Sequence, residues 1–207
     1  VTALTVLDGT FLLGGVSETG LALVRLTAEG KSEELPLPGS TEYLYALCPD
    51  GAGGAWLLCG SLPKGYFDAF GNFRFLSKEP EGKLALAHYD AAFALQETVL
   101  LQTQYTDRFF QLCRLEGGFC MMSASLLIRL DEAGAEMSRQ SLDAKDGWSF
   151  AAIQEADGVL YVLTRNFYGE ELPELRKYAP DTLSALEADT CTSEVIGLGL
   201  CADGRLL

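Results

Sequence analysis

The sequence has a single histidine, His88, among its 207 residues. A Ser-His-Asp triad needs a histidine as its general base, and the common zinc and non-haem iron sites take many of their ligands from histidine. His88 also belongs to a set of basic residues that recurs along the chain, described below. We therefore assign it a structural role and expect neither triad hydrolysis nor a metal site.

Positive charge is also scarce. Fifteen Lys and Arg residues stand against 29 Asp and Glu residues, which gives a formal net charge of −14 at pH 7. This charge repels nucleic-acid phosphates and anionic lipid headgroups. The longest apolar runs have the length of strands, well below the roughly 20 residues of a membrane-spanning helix. We therefore expect no nucleic-acid partner and no insertion into a membrane.

The cysteines lack any CxxC pair and any spacing typical of zinc ligands. A turn at Glu116-Gly117 would place Cys113 opposite Cys120 at a hydrogen-bonded pair, where the Cα atoms are about 5.5 Å apart and the side chains diverge. We therefore predict buried free thiols rather than disulfides, and the cellular compartment stays open. The glycines of "DGAGGAW" lack the strand-to-helix context of a phosphate-binding loop, so no cofactor is expected. The six cysteines are Cys48, Cys59, Cys113, Cys120, Cys191 and Cys201.

What the chain does contain is a repeat. A tight-turn signal is followed by an apolar strand five times, and the first large apolar residues after these turns are Phe11, Trp56, Phe119, Leu160 and Leu206. The successive steps are 45, 63, 41 and 46 residues. Three of the four match the roughly 40–50 residues of one four-stranded propeller blade. The long step predicts an insertion within residues 61–83.

A second set of repeating positions supports this repeat. Later strands are predicted at residues 21–26, 84–89, 125–130 and 173–178, and each is followed by a turn and a more polar fourth strand. Short apolar segments without a 3.6-residue period argue against helices, and the DG and EGG turns suit tight hairpins because Gly and Asp tolerate positive φ. Each of these four strands has a basic residue second from its end, namely Arg25, His88, Arg129 and Lys177.

On these residues the chain resembles a β-propeller over essentially its whole length. The resemblance implies an all-β fold in which the first strand of each four-stranded blade lies innermost. The sequence has no blade-closing WD dipeptide, no paired-glycine kelch signature and no sialidase-type SxDxGxxW box, so the subfamily stays open. Its irregular blades are similar to those of propellers in secreted bacterial multidomain proteins.

We predict four blades, at about residues 1–40, 41–105, 106–147 and 148–193, and the inner half of a fifth at 194–207. Residues 1–15 already supply the inner hairpin of the first blade, so the last segment is expected to begin another blade of a longer protein. A leader removed before Val1, or an excised piece, would explain the missing methionine. The open edge would meet the remaining blades of the parent chain or a second copy. The alternative is a four-bladed ring with a disordered or swapped tail.

Candidate binding residues lie in the loops between second and third strands and between blades. Loops are normally polar, so aromatic residues there often mark a binding surface, either for sugar faces or for a protein partner. The alternative for the insertion is a hairpin, with a strand at residues 73–75, that buries its own rings. Trp56, on an inner strand, is assigned to the core. The predicted ligand-binding residues are Tyr66, Phe67, Phe70, Tyr105, Asp107, Trp148, Phe167 and Tyr168.

These residues favour a non-catalytic module that binds a glycan, peptide or protein ligand through the aromatic-bearing loop face. One alternative is a carboxylate-dependent carbohydrate-active enzyme, a glycosidase or lyase, and another is a structural spacer domain. The resemblance implies an extracellular or cell-surface location, with the cytoplasm left open. The acids that would serve the enzyme are Asp68, Asp107, Asp143, Asp146, Glu170 and Glu171.

Overall fold

Every regular element among the described residues of the computed structural model is a β-strand. The chain divides into two compact units, Val1–Phe110 and Gln111–Leu207, and each contains two four-stranded antiparallel sheets. The all-β prediction is therefore confirmed. The structure describes residues 2–7, 9–17, 20–39, 41–61, 83–102, 109, 111–142, 147–166, 168, 171–195 and 197–199, and the backbone of 65–67 and 73–75.

Unit 1 holds sheets 1 and 2. The strands of sheet 1 pair in chain order and are β1 (Ala3–Leu7), β2 (Thr10–Ser17), β3 (Gly20–Leu26) and β4 (Ser32–Leu35). The strands of sheet 2 are β5 (Tyr43–Pro49), β6 (Ala55–Gly60), β9 (Leu84–Tyr89) and β10 (Leu95–Leu100). Between β6 and β9, the predicted insertion contributes a separate two-stranded sheet, β7 (Gly65–Phe67) with β8 (Phe73–Phe75). The strand at residues 73–75, which belongs to the hairpin alternative for the insertion, is thus present.

Unit 2 holds sheets 3 and 4, which also pair in chain order. The strands of sheet 3 are β11 (Gln111–Leu115), β12 (Gly118–Met122), β13 (Leu126–Asp131) and β14 (Glu136–Ser141). The strands of sheet 4 are β15 (Trp148–Ala156), β16 (Val159–Asn166), β17 (Glu174–Tyr178) and β18 (Ala185–Thr190). The inner half of a fifth blade, predicted at 194–207, lies mostly outside the described residues.

The predicted two-residue turns join the first two strands of sheets 3 and 4. Asp157 and Gly158 both have positive φ, 51° and 73°, as a tight hairpin turn between right-twisted strands requires. The turn at Glu116 and Gly117 places Cys113 opposite Cys120, as predicted. The turns Asp157-Gly158 and Glu116-Gly117 therefore fix the register of these two hairpins.

The two faces of each sheet have distinct packing roles. We call the face that carries the basic third-strand residue the A face, and the opposite one the B face. In unit 1, the A face of sheet 1 (Leu12, Leu23) shares a core with the B face of sheet 2 (Leu57, Ala87, Tyr89). In unit 2, the A face of sheet 3 in the same way shares a core with the B face of sheet 4, through Cys120, Met122, Leu127, Leu160, Val162 and Tyr178.

A turn residue completes each of these cores. The turn between the third and fourth strands places Gly30, Phe93, Gly134 and Leu183 at positive φ in sheets 1 to 4. Phe93 and Leu183 are buried and belong to the cores of units 1 and 2. A left-handed backbone conformation is costly for residues other than glycine. Phe93 and Leu183 can adopt it because the burial of their side chains in the core offsets the backbone strain.

The described cysteines are free thiols, and four of the five are buried. Burial raises the pKa of Cys59 to about 11 and that of Cys113 to about 12, and it raises the pKa of Cys120 as well. Such thiols stay protonated near neutral pH and pack as small apolar groups. The prediction of buried free thiols is confirmed for Cys48, Cys59, Cys113 and Cys120, whereas Cys191 is half-buried and Cys201 lies outside the described residues.

The basic third-strand residues make contacts within their own sheets. Arg25 Nη1 lies 3.6 Å from Glu33 Oε2, and Lys177 pairs with Glu187 on the adjacent fourth strand. The guanidinium of Arg129, by contrast, is buried and donates to backbone carbonyls. These contacts agree with the structural role predicted for this row of residues.

His88 makes two contacts inside sheet 2. Its ring stacks on Trp56, with centroids 4.4 Å apart and an interplanar angle of 10°. Its Nε2 lies 3.0 Å from Asp50 Oδ2. Trp56 is buried, as predicted, and the carboxylate of Asp50 also accepts from the backbone amides of Ala52 and Gly54 at 2.7 and 2.8 Å. The only histidine therefore ties the β5–β6 turn to the third strand of its sheet.

The Asp50 carboxylate makes stability depend on pH. Burial alone would raise its pKa, but the hydrogen bonds from His88, Ala52 and Gly54 outweigh burial, and the net pKa is lowered. Because the folded pKa is depressed, this stabilisation is present above the unfolded pKa of about 3.9 and is lost as pH falls through the folded pKa.

We expect Asp50→Asn to lower the free energy of unfolding by about 1–3 kcal/mol at pH 7. The difference from the unsubstituted protein should shrink below about pH 4, as the pH falls towards the lowered pKa of the folded carboxyl. Urea unfolding at pH 7 and pH 3 measures both. Asp90→Asn is the matched control, since Asp90 accepts from the amides of Ala92 and Ala94 in an exposed turn. An equal, pH-independent loss in both variants would contradict this assignment.

Candidate functional site

Of the predicted ligand-binding residues, the structure describes the side chains of two. Trp148 begins β15, is 9% exposed and belongs to the core of unit 2, whereas Tyr168 follows β16 and is 69% exposed. Tyr66 and Phe67 lie in β7, where only the backbone is described. Phe70, Tyr105, Asp107 and Phe167 lie outside the described residues. A role in ligand binding stays a prediction for all eight.

A cavity of about 240 Å³ opens at this end of sheet 4. It is lined by Ser149, Phe150 and Ala151 from β15 and by Arg165 and Asn166 from β16. Ser149 and Arg165 are directly opposed in the β15–β16 pairing. The cavity therefore lies at the strand ends that lead into the loops between second and third strands and between blades, which is the face the sequence indicates.

A β-bulge lies in the lining of the cavity. The β15–β16 register shifts between Phe150 and Ala152, which leaves Ala151 as the extra residue. The side-chain amide of Gln111 holds this bulge, since its Nε2 donates to the carbonyl of Ala151 at 3.4 Å and its Oε1 accepts from the amide of Ile153 at 2.8 Å. The bulge is thus held from β11, the first strand of sheet 3.

The cavity lining combines apolar and polar residues. Phe150 is almost fully buried, and Ser149 is also buried. The Arg165 side chain is 42% exposed, and its Nη2 lies 3.9 Å from Oε1 of the exposed Glu194. A contact that long between exposed groups is weak and screened by salt. The guanidinium is therefore open to a second, better-placed anion.

Tyr168 stands beside this cavity. Its backbone amide donates to Oδ1 of Asn166 at 2.8 Å. Its ring covers Gly147, where an added Cβ would lie 2.5 and 2.6 Å from two ring carbons. Glycine at 147 thus lets the exposed aromatic ring lie against the backbone next to a cavity-lining residue.

Sequence reasoning missed Ser149, Arg165 and Asn166 as site residues. The available signal was the pair Arg165-Asn166, two polar residues that end the apolar strand β16 opposite a serine. Among the acids named for the enzyme alternative, only Glu171 falls within the described residues, and it is exposed. That alternative stays a hypothesis.

Solved structures share this architecture. The chain superposes with a TM-score of 0.62 on a protein of unknown function from Bacteroides caccae, at 10% identity over 99% of this chain and 68% of that one. For the WD40 β-propeller domain of Doa1, the TM-score is 0.57 at 11% identity, over 98% and 58% of the two chains. The fold is a β-propeller. The resemblance found in the sequence is therefore confirmed.

A third propeller of this kind is BamB from Moraxella catarrhalis, with a TM-score of 0.55 at 13% identity over 99% of this chain and 53% of that one. The present propeller thus spans 53–68% of the length of these three chains. No family model matches the sequence, and no curated protein matches it. Within the described ranges of the propeller, no apolar helix of membrane-spanning length occurs.

Proposed function

We propose that this propeller is a non-catalytic binding module whose ligand presents a carboxylate to the cavity at the end of sheet 4. Arg165 supplies the positive charge, and Ser149 and Asn166 supply neutral hydrogen-bonding groups beside it. Tyr168 offers an exposed ring to the adjoining part of the ligand. The observation that carries this proposal is the half-exposed side chain of Arg165 in the lining of the cavity.

The chemistry of the cavity supports an anionic rather than a neutral ligand. A guanidinium recognises a carboxylate through two parallel N–H donors, and such charge-assisted hydrogen bonds are roughly twice as strong as neutral ones. The propeller carries a net charge of −14, so a basic residue in a concave site stands out from its surroundings. A flat aromatic ring beside a polar cavity suits either a sugar face or a peptide side chain.

Two matched ligand pairs separate the two sources of a carboxylate. One pair is an oligogalacturonate and its methyl ester, and the other is a peptide with a free C-terminus and the same peptide amidated. Isothermal titration should show binding of the acidic member of one pair, with the neutral member about tenfold weaker or more. If neither acidic ligand binds more tightly than its neutral counterpart, the proposal is wrong.

Arg165→Met keeps the apolar stem and removes the charge. It should weaken binding of the acidic ligand by about tenfold or more and leave the melting temperature unchanged, because the pair with Glu194 is long and exposed. Arg139→Met is the matched control, since this exposed arginine pairs with Glu136 on sheet 3 and does not line the cavity. Unchanged affinity in Arg165→Met would contradict the assignment.

A further inference from the structure

The bulge at Ala151 has a counterpart in sheet 2. The β5–β6 pairing also has one extra residue in its first strand, Tyr45. Each bulge lies three residues before the first-strand member of the row that contains the basic third-strand residue, His88 in sheet 2 and Lys177 in sheet 4. The first two strands of sheets 1 and 3 pair without such a shift. The two bulges therefore occupy equivalent positions in sheets 2 and 4.

This correspondence extends to every residue that lines the cavity. The main difference is that sheet 2 has two tyrosines where sheet 4 has a serine and an alanine. Sheet 2 therefore shows which kind of group can fill the positions around the cavity of sheet 4. The lining residues Ser149, Phe150, Ala151, Arg165 and Asn166 correspond in this order to Tyr43, Leu44, Tyr45, Gly60 and Ser61.

A phenol group fills this space in sheet 2. The Tyr45 side chain is buried, and its hydroxyl donates to the backbone carbonyl of Ser61 at 2.8 Å. Its ring meets the ring of Tyr43 edge-on, with centroids 4.8 Å apart and an interplanar angle of 63°. Gly60, which pairs with Tyr43, adds no side chain to this space. The phenol is thus anchored by one hydrogen bond to the end of β6.

The equivalent space in sheet 4 is open. Ala151 is half-buried and has only a methyl group where Tyr45 has a phenol. The cavity of about 240 Å³ is larger than the cavity of about 150 Å³ that suffices to hold benzene in a protein core. The carbonyl that corresponds to that of Ser61 belongs to Asn166, and Arg165 adds a positive charge at the position of the glycine.

We propose that the carboxylate ligand of this cavity is a phenolic acid. Its ring would take the position that the Tyr45 ring has in sheet 2, and its hydroxyl would donate to the carbonyl of Asn166. This inference rests on the proposed function, because Arg165 is taken to bind the carboxylate. A guanidinium also attracts the face of an aromatic ring. The C-terminal tyrosine of a peptide combines both groups, so a peptide is favoured over a uronate as the ligand.

Isothermal titration of the unsubstituted chain tests the ligand class. The probes are three peptides with a free C-terminus that differ only in the last residue, which is tyrosine, phenylalanine or leucine, together with an oligogalacturonate. The peptide ending in tyrosine should bind about tenfold or more tightly than the one ending in leucine, because only an aromatic ring matches the shape of the space. It should bind about threefold or more tightly than the one ending in phenylalanine, which lacks the hydroxyl donor.

Ala151→Tyr gives sheet 4 the side chain that sheet 2 has at the bulge. The new ring should fill the cavity, weaken binding of the peptide ending in tyrosine by about tenfold or more, and leave the melting temperature unchanged or higher. Ala188→Tyr is the matched control, since this alanine is exposed on β18 and does not line the cavity. It should bind like the unsubstituted chain. If Ala151→Tyr does not fold, Ala151→Leu replaces it as a smaller side chain at the same place.

The outcomes separate this inference from the proposed function. If the peptide ending in leucine or the oligogalacturonate binds as tightly as the peptide ending in tyrosine, and Arg165→Met still weakens that binding, the phenolic ligand is wrong and the carboxylate site stands. If the peptide ending in tyrosine binds equally well to a folded Ala151→Tyr variant, its ring does not enter the cavity and the inference is overturned. If none of the acids binds, the inference and the proposed function are both wrong.

Discussion

Replacing Arg129 by leucine is expected to lower the free energy of unfolding by about 3 kcal/mol or more. Arg129 is buried, and its guanidinium donates to the carbonyl oxygens of Glu116 at 2.7 Å and Phe119 at 3.4 Å, and also to that of Leu130. Leucine retains the apolar stem but leaves these carbonyls without their donor. Each buried polar group that loses its partner costs about 1–3 kcal/mol.

Arg25→Leu is the matched control for this change, because Arg25 holds the same position in sheet 1. Its side chain is partly exposed, pairs with the exposed Glu33 and lies over the Phe93 ring at 4.6 Å. Such contacts contribute about 1 kcal/mol or less each. Chemical denaturation of both variants gives the comparison. A loss below about 1 kcal/mol in Arg129→Leu would mean that the carbonyls find other donors.

Gly118→Ala is expected to destabilise unit 2 by about 4 kcal/mol or more, or to prevent it from folding. Gly118 begins β12 with φ of +148°, and a Cβ there would lie 2.1 Å from the carbonyl oxygen of Leu130 and 2.4 Å from Nη1 of Arg129. The first of these atoms belongs to the backbone of the paired strand β13. It moves only if the ladder itself opens, so the clash is not relieved by a side-chain rotation.

The adjacent Gly117 provides the control for backbone strain alone. Its φ is +65°, and the nearest atom to an added Cβ is Nη2 of Arg129 at 4.0 Å. Gly117→Ala should therefore cost only the left-handed penalty of about 1–2 kcal/mol. Thermal and urea unfolding of the two variants should differ by at least about 2 kcal/mol. Equal losses of unfolding free energy at the two positions would show that backbone strain, and not the steric contact of the added Cβ, causes the destabilisation.

The sheets could be predicted because their signals are local. Strands at residues 84–89 and 73–75 follow from short apolar segments between turn signals, and the turns at Asp157-Gly158 and Glu116-Gly117 contain residues that tolerate positive φ. The same reasoning placed the basic third-strand residues on one repeated position. Such patterns require only neighbours in sequence, or a partner strand one short turn away.

The cavity could not be predicted, because its parts come from distant positions. Gln111 lies 40 residues before Ala151 in the sequence, and no local sequence pattern predicts the hydrogen bond between them. Arg165 resembles any polar residue at the end of a strand until the opposing Ser149 is placed beside it. The predicted binding residues were chosen mainly because they are aromatic and lie in predicted loops. They therefore include Trp148, which the core encloses, together with the exposed Tyr168.

The turn between third and fourth strands sets how this protein can be shortened or lengthened by design. Sheets 2 and 4 seal their B faces with Phe93 and Leu183 at left-handed positions, whereas sheets 1 and 3 have Gly30 and Gly134 there. Removal of sheet 2 alone would set two glycine turns in succession, and removal of sheet 3 alone would set two side-chain turns in succession. Engineering should therefore proceed in pairs of sheets, with the cut after Phe110 rather than inside either unit.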